Sequence, residues 1–258
     1  METRISSATK EVVIGGGRPT VLIGDRINPS GKREMSQALK ADNLDTVRRE
    51  ALAQVQAGAD VIDVNVSAFG VDEAALLPTA VEAVMDTVDV PLCLDSAHPE
   101  ALEAALKFYR GKPLINSVTG EEPSLASILP LAREYGAAVI GLTQDENGVP
   151  GTSDDRVAIA RNIAERALAL GIPREDIIID CLALALGADT GSGLVTIETI
   201  GKVRAELGVN ITIGASNVSF GLPDRALLNG AFLAIAIAAG VTCPITDAAQ
   251  SRQIVLAT

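Results

Sequence analysis

The 258-residue sequence predicts a (β/α)8 barrel on three observations. Eight short apolar runs recur along it, helix-like patterns separate them, and nearly every run closes on a small polar or acidic side chain. The closing residues are Gly24-Asp25, Asp63-Val64-Asn65, Asp95-Ser96, Asn116-Ser117, Thr143-Gln144, Asp180, Ser216-Asn217 and Thr246-Asp247. In a barrel of this kind the C-terminal strand ends form the rim that carries the active site. A ring of carboxylates and amides there suits a polar, hydrogen-bonding small molecule. Asp, Asn and Ser also cap the helices that follow strands, which accounts for several of them without requiring them on all eight.

The elements follow in order. Val12-Val13-Ile14, the turn Gly15-Gly16-Gly17 and Val21-Leu22-Ile23 read as an N-terminal hairpin that leads into the first barrel strand and plugs the barrel floor. No helix start follows the three glycines, so they read as a turn rather than a phosphate loop. The remaining strands are expected at Val61–Val66, Leu92–Asp95, Leu114–Ser117, Ala138–Thr143, Ile177–Asp180, Ile211–Ala215 and Pro244–Asp247. All are continuous apolar runs, as parallel strands covered on both faces should be. Helix patterns lie between them at Leu44–Ala57, Glu73–Thr87, Glu100–Tyr109, Leu125–Tyr135 and Arg156–Leu170, with Gly58, Gly136 and Gly171 where C-terminal caps belong. The spacing leaves no room for a second domain, so residues 1–258 are expected to form one barrel domain. Its final helix is expected to be cut short at Thr258.

Composition narrows the function. Hydrophobic residues make up 48% of the chain, enough for a continuous core, and the net charge is −12. With a pI near 4.6, bulk electrostatics argue against nucleic acid and anionic membranes as partners. Met1 to Gly17 lacks the basic start and apolar stretch of a signal peptide. The most apolar helix pattern, Ala226–Gly240, is shorter than the roughly 20 residues needed to span a bilayer. It is expected to pack on the barrel and against a second subunit in a homodimer. Cys93, Cys181 and Cys243 are isolated and sit in or beside apolar runs, which reads as buried free thiols in a cytoplasmic protein.

Several chemistries are hard to build from these residues. The single histidine, His98, leaves no Ser-His-Asp or Cys-His arrangement unless it alone serves, and its place after strand three suits a loop or helix entry. One histidine without cysteine clusters disfavours zinc or iron, and an oxygen-ligated magnesium has no diagnostic spacing, so no metal is expected. The lysines at 10, 32, 40, 107, 112 and 202 fall in loops or helices, not on a strand as a Schiff-base aldolase requires. The stretch Gly187–Gly193 reads as a flexible connection more than a phosphate loop. Phe69 and Phe220 are the available stacking faces near the rim, or else pack against it.

Three segments taken together are specific: Ile23–Asn28 (IGDRIN), Leu92–Ser96 (LCLDS) and Gly214–Ser219 (GASNVS). With Ile115-Asn116-Ser117 and Ile178-Ile179-Asp180, the chain from about Val21 onward resembles the pterin-binding methyltransferases, whose barrel is of the dihydropteroate synthase-like type. The resemblance implies a folate substrate, tetrahydrofolate or its N5-methyl form, with the pterin ring held by Asp95, Asn116 and Asp180. It implies Asp63, Asn65 and Ser219 in the same pocket, and Asn217 beside N5 as the catalytic residue. It further implies a methyl acceptor or donor outside this chain, the cobalt of a cobalamin-type corrinoid carried by a partner protein. Dihydropteroate synthase itself has an Arg-Lys pair after the strand-seven serine, where this chain has Asn217-Val218, and basic residues at strand eight, where it has Thr246-Asp247-Ala248. Those departures weigh against a condensing synthase. A non-catalytic folate-binding subunit remains the other alternative.

The residue types suit that ligand. A pterin presents a guanidine-like edge with adjacent donors, and a carboxylate accepts two such bonds side by side. Each charge-assisted bond is worth about 1.5–3 kcal/mol in a dry site. Asn116 can donate to one pterin atom and accept from another. N5 leaves only if it gains a proton or hydrogen bond as its methyl bond breaks, which the Asn217 amide would strengthen as charge develops. The proton is expected from water through Asp63, Asn65 or Asp25.

Overall fold

In the computed structural model, which describes residues 1–258, a short antiparallel ribbon precedes an eight-stranded parallel barrel. The ribbon pairs β1 (Glu2–Ser6) with β2 (Glu11–Gly15). The barrel strands are β3 (Ile23–Ile27), β4 (Val61–Asn65), β5 (Leu92–Asp95), β6 (Leu114–Thr119), β7 (Ala138–Leu142), β8 (Ile177–Asp180), β9 (Asn210–Thr212) and β10 (Ile245–Thr246). Around them run α1 (Arg33–Lys40), α2 (Asp45–Gln56), α3 (Glu73–Met85), α4 (Pro99–Leu106), α5 (Glu122–Tyr135), α6 (Ser153–Ala169), α7 (Ser192–Glu206), α8 (Arg225–Ala239) and α9 (Ala248–Ala257). Seven ladders link the strands in the order β10-β3-β4-β5-β6-β7-β8-β9. The seam between β9 and β10 closes on fewer bonds, including the Gly214–Ile245 bridge and Ile245 N to Ile213 O at 2.9 Å.

Two apolar cores result. The larger fills the layer between helices and strands. The smaller lies inside the barrel, where Ile23, Val61, Cys93, Leu114, Ala138, Ile140, Ile178 and Cys243 meet Ile5, Val12 and Ile14 of the ribbon. The ribbon therefore plugs the floor. Asn210 ties it down, donating to Thr3 Oγ1 at 2.8 Å and Ile14 O at 3.1 Å.

The hairpin is built from different residues than the sequence reading expects. Val12–Ile14 is its second strand, paired with Glu2–Ser6, and Val21-Leu22-Ile23 enters the barrel instead. Gly15, Gly16 and Gly17 all have positive φ, but they turn the chain from the ribbon to the barrel. The first strand escapes notice because only Ile5 among its five residues is apolar, while its other inward residue, Thr3, is polar yet fully buried. Helices α1 and α7 add to the expected set. The Gly187–Gly193 stretch is an ordered turn into α7, in which Asp189 Oδ1 accepts from Gly191 N at 2.9 Å. The seventh strand is shorter than expected, and Ala215–Ser219 forms a 3-10 turn. At the end of the chain α9 makes 10 residues.

Candidate active site

Period-two alternation places the site. Val61, Cys93, Leu114 and Ile178 point into the barrel, so Asp63, Asp95, Asn116 and Asp180, each two residues on, share that face one layer nearer the C-terminal mouth. Asn65, two further along β4, is in register with Asp95, and Asp95 is in register with Asn116. Three adjacent strands thus carry Asn65, Asp95 and Asn116 in one row. Asp180 stands farther round the ring, on β8.

Asp63 lies beneath the row at 1% exposure. Its Oδ1 accepts from Asn116 Nδ2 at 3.2 Å. Burial, and then the nearby Asp95 carboxyl, push Asp63 well above the usual carboxylate range. Burial raises Asp95 to about 6, against the opposing hydrogen bonds from Asn65 and Asp63. Asp180 is pushed up to about 7, again by burial, while the Leu182 amide bonds its Oδ1 at 2.7 Å and favours the ionised form. Asp25 is raised by burial as well, with Lys32 opposing. Four acids shifted toward neutrality around one mouth mark a place where a ligand's donors would replace lost water.

The 3-10 turn after β9 carries Asn217 and Ser219. Asn217 is exposed, its amide folded against Gly214, where a Cβ would come within 2.9 Å of Nδ2. Ser219 is fully buried, and its hydroxyl accepts from Arg225 Nε at 3.0 Å. Arg225 also donates through Nη2 to Ser216 O at 3.0 Å, so one guanidinium spans the turn that presents Asn217. The structure brings Asp63, Asn65, Asp95 and Asn116 together, with Asp180 across the ring, and keeps the Ser219 hydroxyl on Arg225. Four surface clefts, among them one of 520 Å³ between α1 and α3, are lined by none of these residues.

Capping explains other strand-end residues. Asp247 caps α9, accepting from Ala249 N at 3.1 Å, and also accepts from Gln54 Nε2 at 2.9 Å. Thr143 is buried and donates to Asp180 O at 3.1 Å.

One residue of the rim carried no signal in the sequence beyond its helix-start position. Glu73, in the first turn of α3, accepts from Ser67 Oγ and Ser96 Oγ, each at 2.7 Å, and lies 3.6 Å from His98 Nε2. It stitches the loop after Asn65 to the loop after Asp95.

Comparisons with known proteins bear on the family and the fold. Residues 24–247 match the family described as pterin binding enzyme. Over 232 residues the chain is 30% identical to the methylcorrinoid:tetrahydrofolate methyltransferase of Eubacterium limosum, covering 88% of this chain and 84% of that protein. It is also 30% identical to the methionine synthase of Mycobacterium tuberculosis, covering 96% of this chain but only 22% of that longer protein. Among solved structures, Yersinia pestis dihydropteroate synthase with a pterine-sulfa conjugate superposes at a TM-score of 0.76 and 19% identity, covering 98% of this chain and 96% of that one. At that identity the likeness speaks to the barrel alone.

Proposed function

The chain belongs to the pterin-binding enzymes, and from that premise we propose that it is a methyltransferase that moves a methyl group between N5 of methyltetrahydrofolate and the cobalt of a corrinoid held by a partner protein. The observation that carries this reading is the similarity to the Eubacterium limosum enzyme along most of both chains. The likeness to dihydropteroate synthases is one of fold, and the Asn217-Val218 pair stands where a synthase has Arg-Lys.

In this reading Asp95 and Asp180 accept from the pterin's guanidine-like edge, Asn116 offers its carbonyl, Asn65 steadies Asp95 and Asp63 steadies Asn116. When the methyl group leaves N5, the electron pair stays on nitrogen and takes up a proton. Asn217 hydrogen-bonds N5 as that charge grows, which lowers the barrel's barrier only because the bond is stronger then than before. The corrinoid supplies the metal that accepts or gives the methyl group. The same residues serve either direction, so formation of methyltetrahydrofolate in a demethylation system fits the site as well as the reverse.

A second copy of this chain is proposed to cover α8, making a homodimer. Leu227, Ala231, Ile235 and Ala238 form one exposed stripe along it, and Leu227 and Ile235 are 73% and 55% exposed. Light scattering that finds a monomer overturns this. Three buried free thiols fit a cytoplasmic location.

The deciding experiment mixes the protein with methyltetrahydrofolate and cob(I)alamin without oxygen and follows the cobalt(I) absorbance. Protein-dependent decay supports the reaction. Folate binding without decay, even with a cognate corrinoid protein, leaves a non-catalytic folate binder. Product from p-aminobenzoate and pterin pyrophosphate would establish a synthase instead.

A further inference from the structure

Arg156 is the largest fully buried side chain in the protein, at 1% exposure on α6. A buried guanidinium is costly unless its protons and its charge are both answered. Its protons go to two active-site loops and to α7. Nε donates to Pro150 O at 2.9 Å, in the loop after β7. Nη1 donates to Cys181 O at 3.0 Å, Leu182 O at 2.9 Å and Thr196 Oγ1 at 3.3 Å. Every one of these partners is uncharged.

Two of those acceptors are the carbonyls that directly follow Asp180. Leu182 has a φ of 54°, a left-handed conformation that a leucine does not adopt without support. In that conformation its amide reaches back to Asp180 Oδ1 at 2.7 Å. Thr196 Oγ1, within 2.9 Å of Leu182 O, closes the arrangement from α7.

We propose that Arg156 is a positioning residue for Asp180: its guanidinium fixes the two carbonyls after Asp180, keeps the Leu182 amide aimed at the carboxylate, and offsets that carboxylate's charge. The other titratable groups facing Asp180 are the thiols of Cys181 and Cys243, both raised by burial and neutral, Cys243 to about 12. Arg156 is therefore the charge that balances an ionised Asp180. It acts from beneath the site, through main-chain atoms.

The inference rests on the proposed function only for what Asp180 binds, so its first test needs no folate. The ¹³C carboxyl resonance of Asp180, assigned by its loss in Asp180→Asn, is titrated in the wild type, Arg156→Gln and Arg156→Lys. The wild-type midpoint is expected near 7. In Arg156→Gln it rises by about one pH unit, and Arg156→Lys, which keeps the charge, restores most of that shift. An unchanged midpoint in Arg156→Gln overturns the proposal.

Folate affinity, measured by calorimetry, supplies the second arm. Arg156→Gln is expected to weaken methyltetrahydrofolate binding by about 10-fold near pH 7.5, and to move its acid limb upward. A uniform loss at every pH, with the limb unmoved, marks a merely structural residue and overturns the proposal. Should Arg156→Gln fail to fold, a double-mutant cycle of Arg156→Lys with Asp180→Asn, read as unfolding free energy of the free protein at pH 8, decides the matter. A coupled change supports the assignment, and additive changes overturn it. A wild type that binds no folate overturns the proposed function instead, and the carboxyl titration still reads Arg156.

Discussion

Asn116 donates through Nδ2 to Asp63 Oδ1 at 3.2 Å, reaching past β5 from β6 to β4. That bond commits one of the amide's two N–H donors to the protein and leaves the other, with the carbonyl, for a ligand. It also sits on a carboxyl that burial and Asp95 push well above the usual carboxylate range, toward its neutral form. A neutral Asp63 can accept from Asn116 and donate to Asp95, whose ionised form its hydrogen bond favours.

The first prediction follows from that protonation state. An asparagine at position 63 reproduces a protonated aspartate, with one acceptor and one donor in the same places. Asp63→Asn is therefore expected to bind methyltetrahydrofolate within about 3-fold of wild type, whereas Asp63→Ala loses about 10-fold by leaving Asn116 and Asp95 unsupported. Calorimetric titration of both variants checks this. Equal, large losses in the two would mean that Asp63 acts as a carboxylate.

Gly214 offers a way to move Asn217 without removing it. A Cβ there would meet Nδ2 at 2.9 Å, so Gly214→Ala must displace the amide. Both Gly214→Ala and Asn217→Ala are expected to slow methyl transfer by around 10²-fold, the scale of one misplaced transition-state donor. Folate affinity should change far less. Single-turnover rates beside binding constants separate the two effects, and a wild-type rate in Asn217→Ala removes its catalytic role.

The strand-end residues were legible because each closes a continuous apolar run, and the family motifs drew attention to them. Asp63, Asp95, Asn116 and Asp180 prove in the structure to follow an inward aliphatic or cysteine residue by two positions. Arg156 and Glu73 were not legible. In sequence each is one more charge at the start of an amphipathic helix, and only tertiary structure shows one fully buried and the other tied to two serines. Ser219 shows the converse. Its motif is recognisable, but its hydroxyl is spent on Arg225, a pairing that depends on how the turn after β9 meets α8.

Glu73 supports a prediction about affinity rather than rate. Its two oxygens each hold one serine, so Glu73→Gln keeps an acceptor for only one of them. The loops that follow Asn65 and Asp95 should loosen together. Glu73→Gln is expected to raise the folate KM by about 5-fold with kcat nearly unchanged, since a lost charge-assisted bond at the rim costs about 1 kcal/mol. Ser96→Ala, which breaks one of the same two bonds, should add little on top of it. A fall in kcat at unchanged KM would contradict this account.

The raised acids also fix how stability varies with pH, and the sign is opposite to that of ligand binding. Asp180 titrates near 7 in the folded protein and near 3.8 when unfolded, and Asp95 near 6. Between those values the folded state binds more protons than the unfolded one, so stability falls as pH rises from about 4 to 7. The ligand-free protein is therefore expected to melt at a higher temperature at pH 5 than at pH 8. Asp180→Asn removes one part of that penalty and should stabilise the free protein at pH 8 by on the order of 2 kcal/mol, while folate binding collapses. Folate binding itself should strengthen as pH rises through 6 to 7, because the pterin edge needs ionised acceptors. Thermal melts of the wild type and Asp180→Asn across this range, with and without folate, test both signs together. A free protein that grows more stable from pH 5 to 8 would show that the mouth acids are not held against ionisation, and that the site holds its carboxylates by contacts other than those described above.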